Sequence, residues 1–277
     1  MNALRATNSC VSLFAIRAIR LFNIIVAPSM HRDKIIGINP VMEALRAGRP
    51  IQRLQIAEQR KMDHEILEIV RLARNRGVEI RILAREALDR LVPNSRHQGV
   101  VALASAREYV PLENILQVPA QCGKVALYLI LDSVEDPRNL GAILRTADAA
   151  GVHGVIIPER RAAGLTETVA KAAAGALEYI PVTKVVNIVN ALEELKKAGI
   201  WVVGAEAGSE KAFWDADFTL PTALVIGGED RGVRRLVKAH CDYMVSLPLA
   251  GHISSLNVSV AAGILLYEVL RQRGKRG

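Results

Sequence analysis

The chain has 277 residues, enough for one or two domains with a sizeable core. Because 51% of the residues are hydrophobic and only 4% are aromatic, the core must consist of Val, Ile, Leu and Ala, which favours an α/β protein with buried parallel strands. The net charge of +8 indicates nucleic acid or another polyanion as the partner, and a basic enzyme without such a partner is the alternative. The three cysteines lie far apart without a CxxC or Cys/His cluster, so the sequence predicts no metal site and no disulfide framework, and it fits a reducing, cytoplasmic setting.

The first 32 residues differ from the rest of the chain, because they contain four Arg and no Asp or Glu. Arg17 and Arg20 interrupt the apolar stretch, so this segment is not a membrane span. Its composition resembles a targeting segment, and the alternative is that translation starts at Met30. We therefore predict that 1–32 is an N-terminal extension, disordered or absent from the native protein, and outside the fold.

A compact pattern of short strands and helices occupies 33–106 and predicts a small α/β domain. The helix predicted over 64–76 has its apolar residues on one side, and the alternation over 78–83 indicates a half-exposed strand. A loop before the last strand carries Arg96, His97 and Gln98. These side chains could contact RNA, or His97 could be a structural loop histidine.

The interval 107–123 contains two prolines with little periodicity and predicts a linker. Strands and helices then alternate through 124–277, which predicts a parallel sheet covered on both faces. Ligands of such sheets bind at the carboxyl ends of the strands. The strands are predicted over 125–131, 154–158, 179–183, 200–204, 223–227 and 243–247.

Unusual residues cluster at three of these strand ends. Asn139 is predicted to cap the helix after the first strand, and Arg145 follows six residues later. Arg145 could instead form a structural ion pair with Asp148 or Glu135.

A second cluster, Gly227-Gly228-Glu229, follows the strand over 223–227. Paired glycines permit close approach of the backbone to a ligand. A Gly-x-Gly-x-x-Gly motif is absent from this cluster, so a Rossmann dinucleotide site is not supported. Glu229 could also stabilise a helix N-terminus.

The third cluster lies where a loop beginning at Leu247 enters the last helix. Ser254, Ser255 and Asn257 crowd the first turn of that helix. They could form a simple helix cap or, together with the free N–H groups of the helix, an anion site.

Taken together, these clusters resemble the three signature motifs of the SpoU-type, TrmH-like RNA 2′-O-ribose methyltransferases of the SPOUT superfamily. The resemblance covers the chain from Lys124 to Arg273. The third motif, which runs from Leu247-Pro-Leu to Ser254-Ser255-Leu256-Asn257-Val258-Ser259, is the most specific. The leading domain resembles the family's substrate-binding domain, including the run from His97 to Ala102.

The resemblance implies a deep trefoil knot, a homodimer and S-adenosylmethionine as cofactor, bound by backbone groups of Gly227, Leu247 and Leu256. It also implies a catalytic set in which Arg145 accepts the proton of the ribose 2′-hydroxyl with help from an RNA phosphate. Because a guanidinium holds its proton tightly, a clamp on phosphate or a stabiliser of the oxyanion is the easier role. The remaining members of this set are Asn139, Glu229, Ser255 and Asn257.

The two-domain layout resembles enzymes that modify a guanosine ribose in the peptidyl-transferase loop of 23S rRNA. That RNA, or a large-subunit precursor, is therefore the expected substrate. A tRNA ribose methyltransferase and a non-catalytic RNA-binding ribosome-assembly factor are the alternatives.

Overall fold

The structure is a computed structural model and describes residues 32–93, 95–229 and 231–274. Within these ranges the chain forms ten strands in two sheets. The predicted extension lies outside the described residues, except for Arg32, which begins the first strand. Among the described helices, none is both long enough and apolar enough to cross a membrane.

The leading sheet is covered by helices on both faces. Its strands are β1 (Arg32–Ile36), β2 (Ile51–Ala57), β3 (Glu79–Leu83) and β4 (Val100–Ser105). Their order is β1-β4-β2-β3, and only β2 and β3 run parallel. One face packs against α1 (Ile38–Ala47) and α2 (His64–Asn75), and the other against α3 (Arg85–Leu91). This is the small α/β unit that the sequence predicts.

His97 has a structural position in the loop before β4. It is 2% exposed, its Nε2 is 2.8 Å from Asp89 Oδ1, and its Nδ1 accepts the backbone N–H of Gly99 at 2.9 Å. Gln98 Oε1 accepts the N–H of Ile38 at 3.2 Å, at the start of α1. Arg96 and Gln98 are both exposed, and of the three loop residues considered for RNA contact only Arg96 forms no such hydrogen bond to the described part of the chain.

Within the described residues, the second sheet has six parallel strands in the order β10-β8-β9-β5-β6-β7. These strands are β5 (Leu127–Asp132), β6 (Gly154–Pro158), β7 (Val182–Val185), β8 (Trp201–Ala205), β9 (Thr222–Gly227) and β10 (Tyr243–Val245). The helices are α4 (Leu112–Cys122), α5 (Pro137–Ala149), α6 (Glu167–Ala173), α7 (Ile188–Lys197), α8 (Arg235–Ala239) and α9 (Val258–Gly274).

The helices cover both faces of this sheet. Apolar residues of α5, α6 and α9 pack on one face, and those of α4 and α7 pack on the other together with Val233 and Val237 at α8. The fold is therefore the three-layer α/β arrangement that the alternating pattern predicts. The expected trefoil knot depends on how the chain passes through its own loops, which strand order does not test, and it stays a prediction.

Strand order places a switch point between β5 and β9. The chain runs from β5 outward to β7, crosses to β8, and then inserts β9 between β8 and β5. Asp132 and Gly227, the last residues of β5 and β9, are directly paired at this point. Crevices at the carboxyl ends beside such a reversal are where open α/β sheets bind ligands.

Two predicted elements differ from the structure. The interval 107–123 is not an irregular linker, because it contains α4, whose Leu112, Ile115 and Val118 are buried. Pro119 lies inside this helix and obscures its pattern. The strand predicted over 179–183 begins only at Val182, because a 3-10 turn occupies Ala176–Glu178.

A buried ionic cluster, which we call the domain junction, joins the two domains. Its centre is Glu178, 5% exposed, whose carboxylate accepts hydrogen bonds from Arg107 and, at 3.3 Å, from Arg49. Arg49 also binds Asp33 Oδ2 at 2.6 Å. A second link is the hydrogen bond from the Tyr179 hydroxyl to Glu43 of α1. Since Glu178 and Tyr179 belong to the second domain and the other partners to or next to the first, these contacts fix the orientation of the two domains.

Candidate active site

The loop after β9 is packed tightly against the end of β5. The Gly228 N–H donates to Asp132 O at 2.8 Å. A Cβ on Gly227 would lie 1.9 Å from the carbonyl carbon of Gly232, and one on Gly228 would lie 2.2 Å from Ser133 O. The paired glycines therefore allow the backbone to approach other parts of the same chain.

Asp132 anchors the far end of this loop, and sequence reasoning assigned it no role. Its side chain is fully buried, and its two oxygens accept the Arg234 N–H at 2.9 Å and the Arg234 Nε–H at 2.7 Å. A buried carboxylate needs such pairing, because burial without it would be costly. Asp132 thus fixes the start of α8. No sequence pattern reveals a partner 102 residues away.

Three residues, one from each predicted motif, meet in a hydrogen-bonded set that we call the triangle: Asn139, Glu229 and Asn257. Glu229 Oε1 accepts the Asn139 Nδ2–H at 3.0 Å and the Asn257 Nδ2–H at 2.7 Å. Asn257 Nδ2 also donates to Asn139 Oδ1 at 3.0 Å. The same Glu229 oxygen is 3.3 Å from the N–H of Val258, in the first turn of α9. Within the described ranges, Glu229 Oε2 has no hydrogen-bond partner.

Two members of the triangle lie at helix starts, and only one of them is a helix cap. Asn257 caps α9, since its Oδ1 accepts the Ser259 N–H at 3.0 Å. Asn139 does not cap α5, contrary to the prediction. Asp136 does, by accepting the Arg138 N–H at 2.7 Å, with Pro137 at the first helical position. Asn139 is therefore free to point its amide at Glu229.

Arg145 lies on α5 with an exposed side chain. Among the described residues it forms no ion pair, so the structural pairs considered with Asp148 and Glu135 are not made. Asp148 instead lies partly buried near Glu43, and burial raises its pKa to about 6. Six residues separate Arg145 from Asn139, which is about 9 Å along a helix. Among the described residues Arg145 forms no hydrogen bond to the triangle, and its exposed guanidinium is accessible to a ligand.

The remaining predicted residues lie in or beside the loop between β10 and α9. Ser255 is exposed, and neither Ser254 nor Ser255 has a protein hydrogen-bond partner within the described part of the chain. Leu247 and Leu256 are half-buried, and Leu247 packs against the core below α9. The loop therefore carries a half-buried leucine near each of its two ends.

Both domains of the chain match known families. Residues 126–267 match the SpoU rRNA Methylase family, and residues 34–110 match the RNA 2′-O ribose methyltransferase substrate binding family. YacO of Bacillus subtilis, assigned to the TrmH family of tRNA/rRNA methyltransferases, is 47% identical over 90% of this chain and 99% of its own.

Two solved structures extend the comparison. The SpoU methyltransferase AviRb from Streptomyces viridochromogenes, solved with the cofactor AdoMet, has a TM-score of 0.74 at 28% identity and covers 99% of this chain and 100% of its own. The A. aeolicus TrmH/SpoU tRNA modifying enzyme is 36% identical with a TM-score of 0.51, over 56% of this chain and 78% of its own. The chain therefore belongs to the SpoU family of S-adenosylmethionine-dependent RNA methyltransferases.

Proposed function

We propose that the chain transfers the methyl group of S-adenosylmethionine to the ribose 2′-hydroxyl of a guanosine in the peptidyl-transferase loop of 23S rRNA, in free RNA or in a large-subunit precursor. The triangle carries this proposal, because it unites one residue from each of three distant motifs at the switch point of the sheet. The guanidinium of Arg145, which forms no ion pair within the described ranges, lies on the helix that supplies Asn139.

The cofactor-binding part of the proposal rests on Gly227, Leu247 and Leu256. Gly227 ends β9 at the switch point, and the two leucines bracket the loop before α9. We propose that their backbone groups hold the adenine while the half-buried leucine side chains exclude water from it. S-adenosylmethionine, when bound, supplies an electrophilic methyl group on its sulfonium.

The chain's own residues align the ribose and stabilise developing charge. The amides of Asn139 and Asn257 are held by Glu229 before RNA arrives, so little reordering is needed on binding. We propose that Arg145 donates to an RNA phosphate and to the developing oxyanion, and Ser255 to the ribose or phosphate. Since a guanidinium keeps its proton, we assign to the adjacent RNA phosphate the uptake of the proton from the hydroxyl.

The leading domain supports rRNA rather than tRNA as the substrate. The A. aeolicus tRNA modifying enzyme matches only 56% of this chain, which leaves much of the present chain without a counterpart in it. We propose that this domain binds the RNA around the target loop. The few, widely spaced cysteines of the sequence support a cytoplasmic location.

An exposed apolar row on α9 supports the proposed homodimer. Val260, Ile264 and Tyr267 recur at helical spacing, and Val260 and Tyr267 are 50% and 55% exposed. A row of this kind is typical of a protein interface. Ile264→Arg should reduce the molecular mass in light scattering from dimer to monomer. Leu67→Arg, an equally apolar exposed position on α2, serves as control, and a monomeric wild-type chain would overturn this part.

The deciding experiment is methyl transfer from labelled S-adenosylmethionine to unmodified 23S rRNA and, in parallel, unmodified tRNA. The modified ribose is mapped by its resistance to alkaline cleavage. We expect label at one guanosine of the peptidyl-transferase loop, and loss of label in Arg145→Ala but not in Lys197→Ala, an exposed control at the opposite edge of the sheet. Label in tRNA alone would identify tRNA as the substrate and overturn the rRNA part of the proposal. Cofactor binding without label in either RNA, or in the large-subunit precursor, would favour a binding factor.

A further inference from the structure

A cavity with four charged residues in its wall lies at the carboxyl edge of the sheet, apart from the triangle. It has a volume of about 520 Å³ and lies over the ends of β6 and β7. Three arginines line it, Arg160, Arg161 and Arg234, with one carboxylate, Glu159. We call this cavity the arginine pocket.

The arginines of this pocket have donors to spare. Arg160 and Arg161 are exposed, and among the described residues neither forms an ion pair. Arg234 is held through its Nε by the buried Asp132, and within the same residues its two terminal nitrogens have no hydrogen-bond partner. Guanidinium groups in this state suit phosphate, which they can bind through two parallel hydrogen bonds.

Two further features make the pocket favourable to an anion. The ten-residue helix α7 begins at its wall, and the first turn of a helix carries partial positive charge. Asn187 caps that turn through Val189. Val186, also in the wall, is 88% exposed and leaves the entrance open to a polymer.

The arginine pocket and the candidate active site lie at the same edge of the sheet, beside helices that cover opposite faces. Arg234 binds Asp132, which ends β5 and pairs with Gly227. Since neighbouring strands are about 5 Å apart, the ends of β6 and β7 lie within roughly 10 Å of that point. The pocket opens beside α7 and α8, whereas the triangle lies beside α5 and α9. A nucleic-acid strand that enters the active site can therefore cross the edge into the pocket.

We propose that the arginine pocket binds backbone phosphates of the RNA strand next to the nucleotide whose ribose is methylated. This inference rests on the proposed function and extends it to a second contact region. The pocket positions the strand without selecting a base, because its donors address phosphate oxygens.

The test uses the full chain and a transcript that carries the peptidyl-transferase loop of 23S rRNA. Affinity is measured over a range of salt concentrations for Arg160→Ala, Arg161→Ala and the double variant. Each lost phosphate contact should lower the slope of log affinity against log salt by about 0.7 and weaken binding about fivefold near 0.1 M salt. Calorimetric binding of S-adenosylmethionine should not change.

Two control variants make the result specific. Lys197→Ala removes one exposed positive charge at the other end of α7 and should leave the slope unchanged. Glu159→Gln removes the opposing carboxylate and should tighten binding. Inorganic phosphate, matched in ionic strength to chloride, should compete with RNA for the wild-type chain more than for the double variant if a phosphate group occupies the pocket.

The outcomes separate this inference from the proposed function. If the wild-type chain methylates the RNA but the double variant binds it like Lys197→Ala, the pocket does not contact RNA and the inference is overturned alone. If the wild-type chain binds S-adenosylmethionine but no RNA, the proposed function and the inference both fail.

Discussion

The carboxylate of Glu229 accepts hydrogen bonds from both other members of the triangle and from the start of α9, so its removal should cost more than the loss of any single contact. Its Oε1 accepts from Asn139, Asn257 and the Val258 backbone. Hydrogen bonds to a charged acceptor contribute about 1.5–3 kcal/mol each when buried and less in an exposed site. For Glu229→Ala we expect a loss of about 2–3 kcal/mol, or roughly 30- to 150-fold in kcat/KM. Glu229→Gln keeps an acceptor oxygen and should lose only about tenfold.

The assay for this prediction is methyl transfer at saturating S-adenosylmethionine with the RNA concentration varied. Both kcat and the KM for RNA are determined for each variant. Glu194→Ala, an exposed carboxylate on α7, is the matched control. Cofactor affinity is measured in parallel to show that the variants are folded. If Glu229→Ala loses less than about fivefold while cofactor binding is normal, the triangle does not hold the active arrangement. Equal losses in the Ala and Gln variants would show that the charge, not the hydrogen bonding, matters.

Three further predictions test packing and electrostatics. Gly227→Ala should abolish cofactor binding in calorimetry, because its Cβ would lie 1.9 Å from Gly232 C, whereas Gly263→Ala, whose nearest contact is 3.8 Å, should bind normally. Glu178→Ala should destabilise the chain by about 3 kcal/mol in chemical unfolding, since it leaves Arg107 buried without its paired carboxylate and removes one of the two carboxylates that bind Arg49. An unchanged midpoint would contradict this. Burial raises the pKa of Asp148 to about 6 in the folded chain. The free energy of unfolding is therefore highest below about pH 4, where the carboxyl is protonated in both states, and it falls as pH rises through 6 and the buried group ionises. Asp148→Asn should therefore raise Tm at pH 8 but not at pH 4, and an equal effect at both would refute the assignment.

Burial also shifts the pKa of Arg107, in the direction opposite to that of Asp148. Its side chain is 13% exposed, and burial lowers its pKa to about 10. The carboxylates of Glu178 and Asp33 oppose this effect by raising the pKa of Arg107, and the guanidinium is charged at neutral pH. This makes the domain junction dependent on its carboxylates, and it explains why loss of Glu178 is expected to matter more than loss of a surface acid.

Local patterns predicted the elements of the fold well where periodicity was undisturbed. The helix predicted over 64–76 is observed at His64–Asn75, and the strand over 154–158 at Gly154–Pro158. Prediction failed where a proline broke the pattern, as in α4, or where a 3-10 turn preceded a strand, as before β7. One sequence does not reveal where such a turn delays the start of a strand.

The site was predictable in composition but not in geometry. Resemblance named Asn139, Glu229 and Asn257, but only the folded chain shows that one carboxylate oxygen binds both amides. Asp132 and Arg234 were missed because the pair is 102 residues apart in the sequence and each residue alone is unremarkable. The sequence therefore identifies which residues matter, whereas the folded structure shows how they are held.

The domain junction has a consequence for how an RNA would be chosen. Because Glu178, Arg49 and Arg107 lock the two domains in one orientation, the leading domain and the active site stand at a fixed separation. An RNA bound by both, as proposed, must present its recognised element and its target ribose at that same separation. An unfolded or wrongly folded RNA with the correct nucleotide would satisfy each contact alone but not both at once. Selection would then act on the three-dimensional spacing of the RNA, and methylation would report that this region of the RNA has already folded.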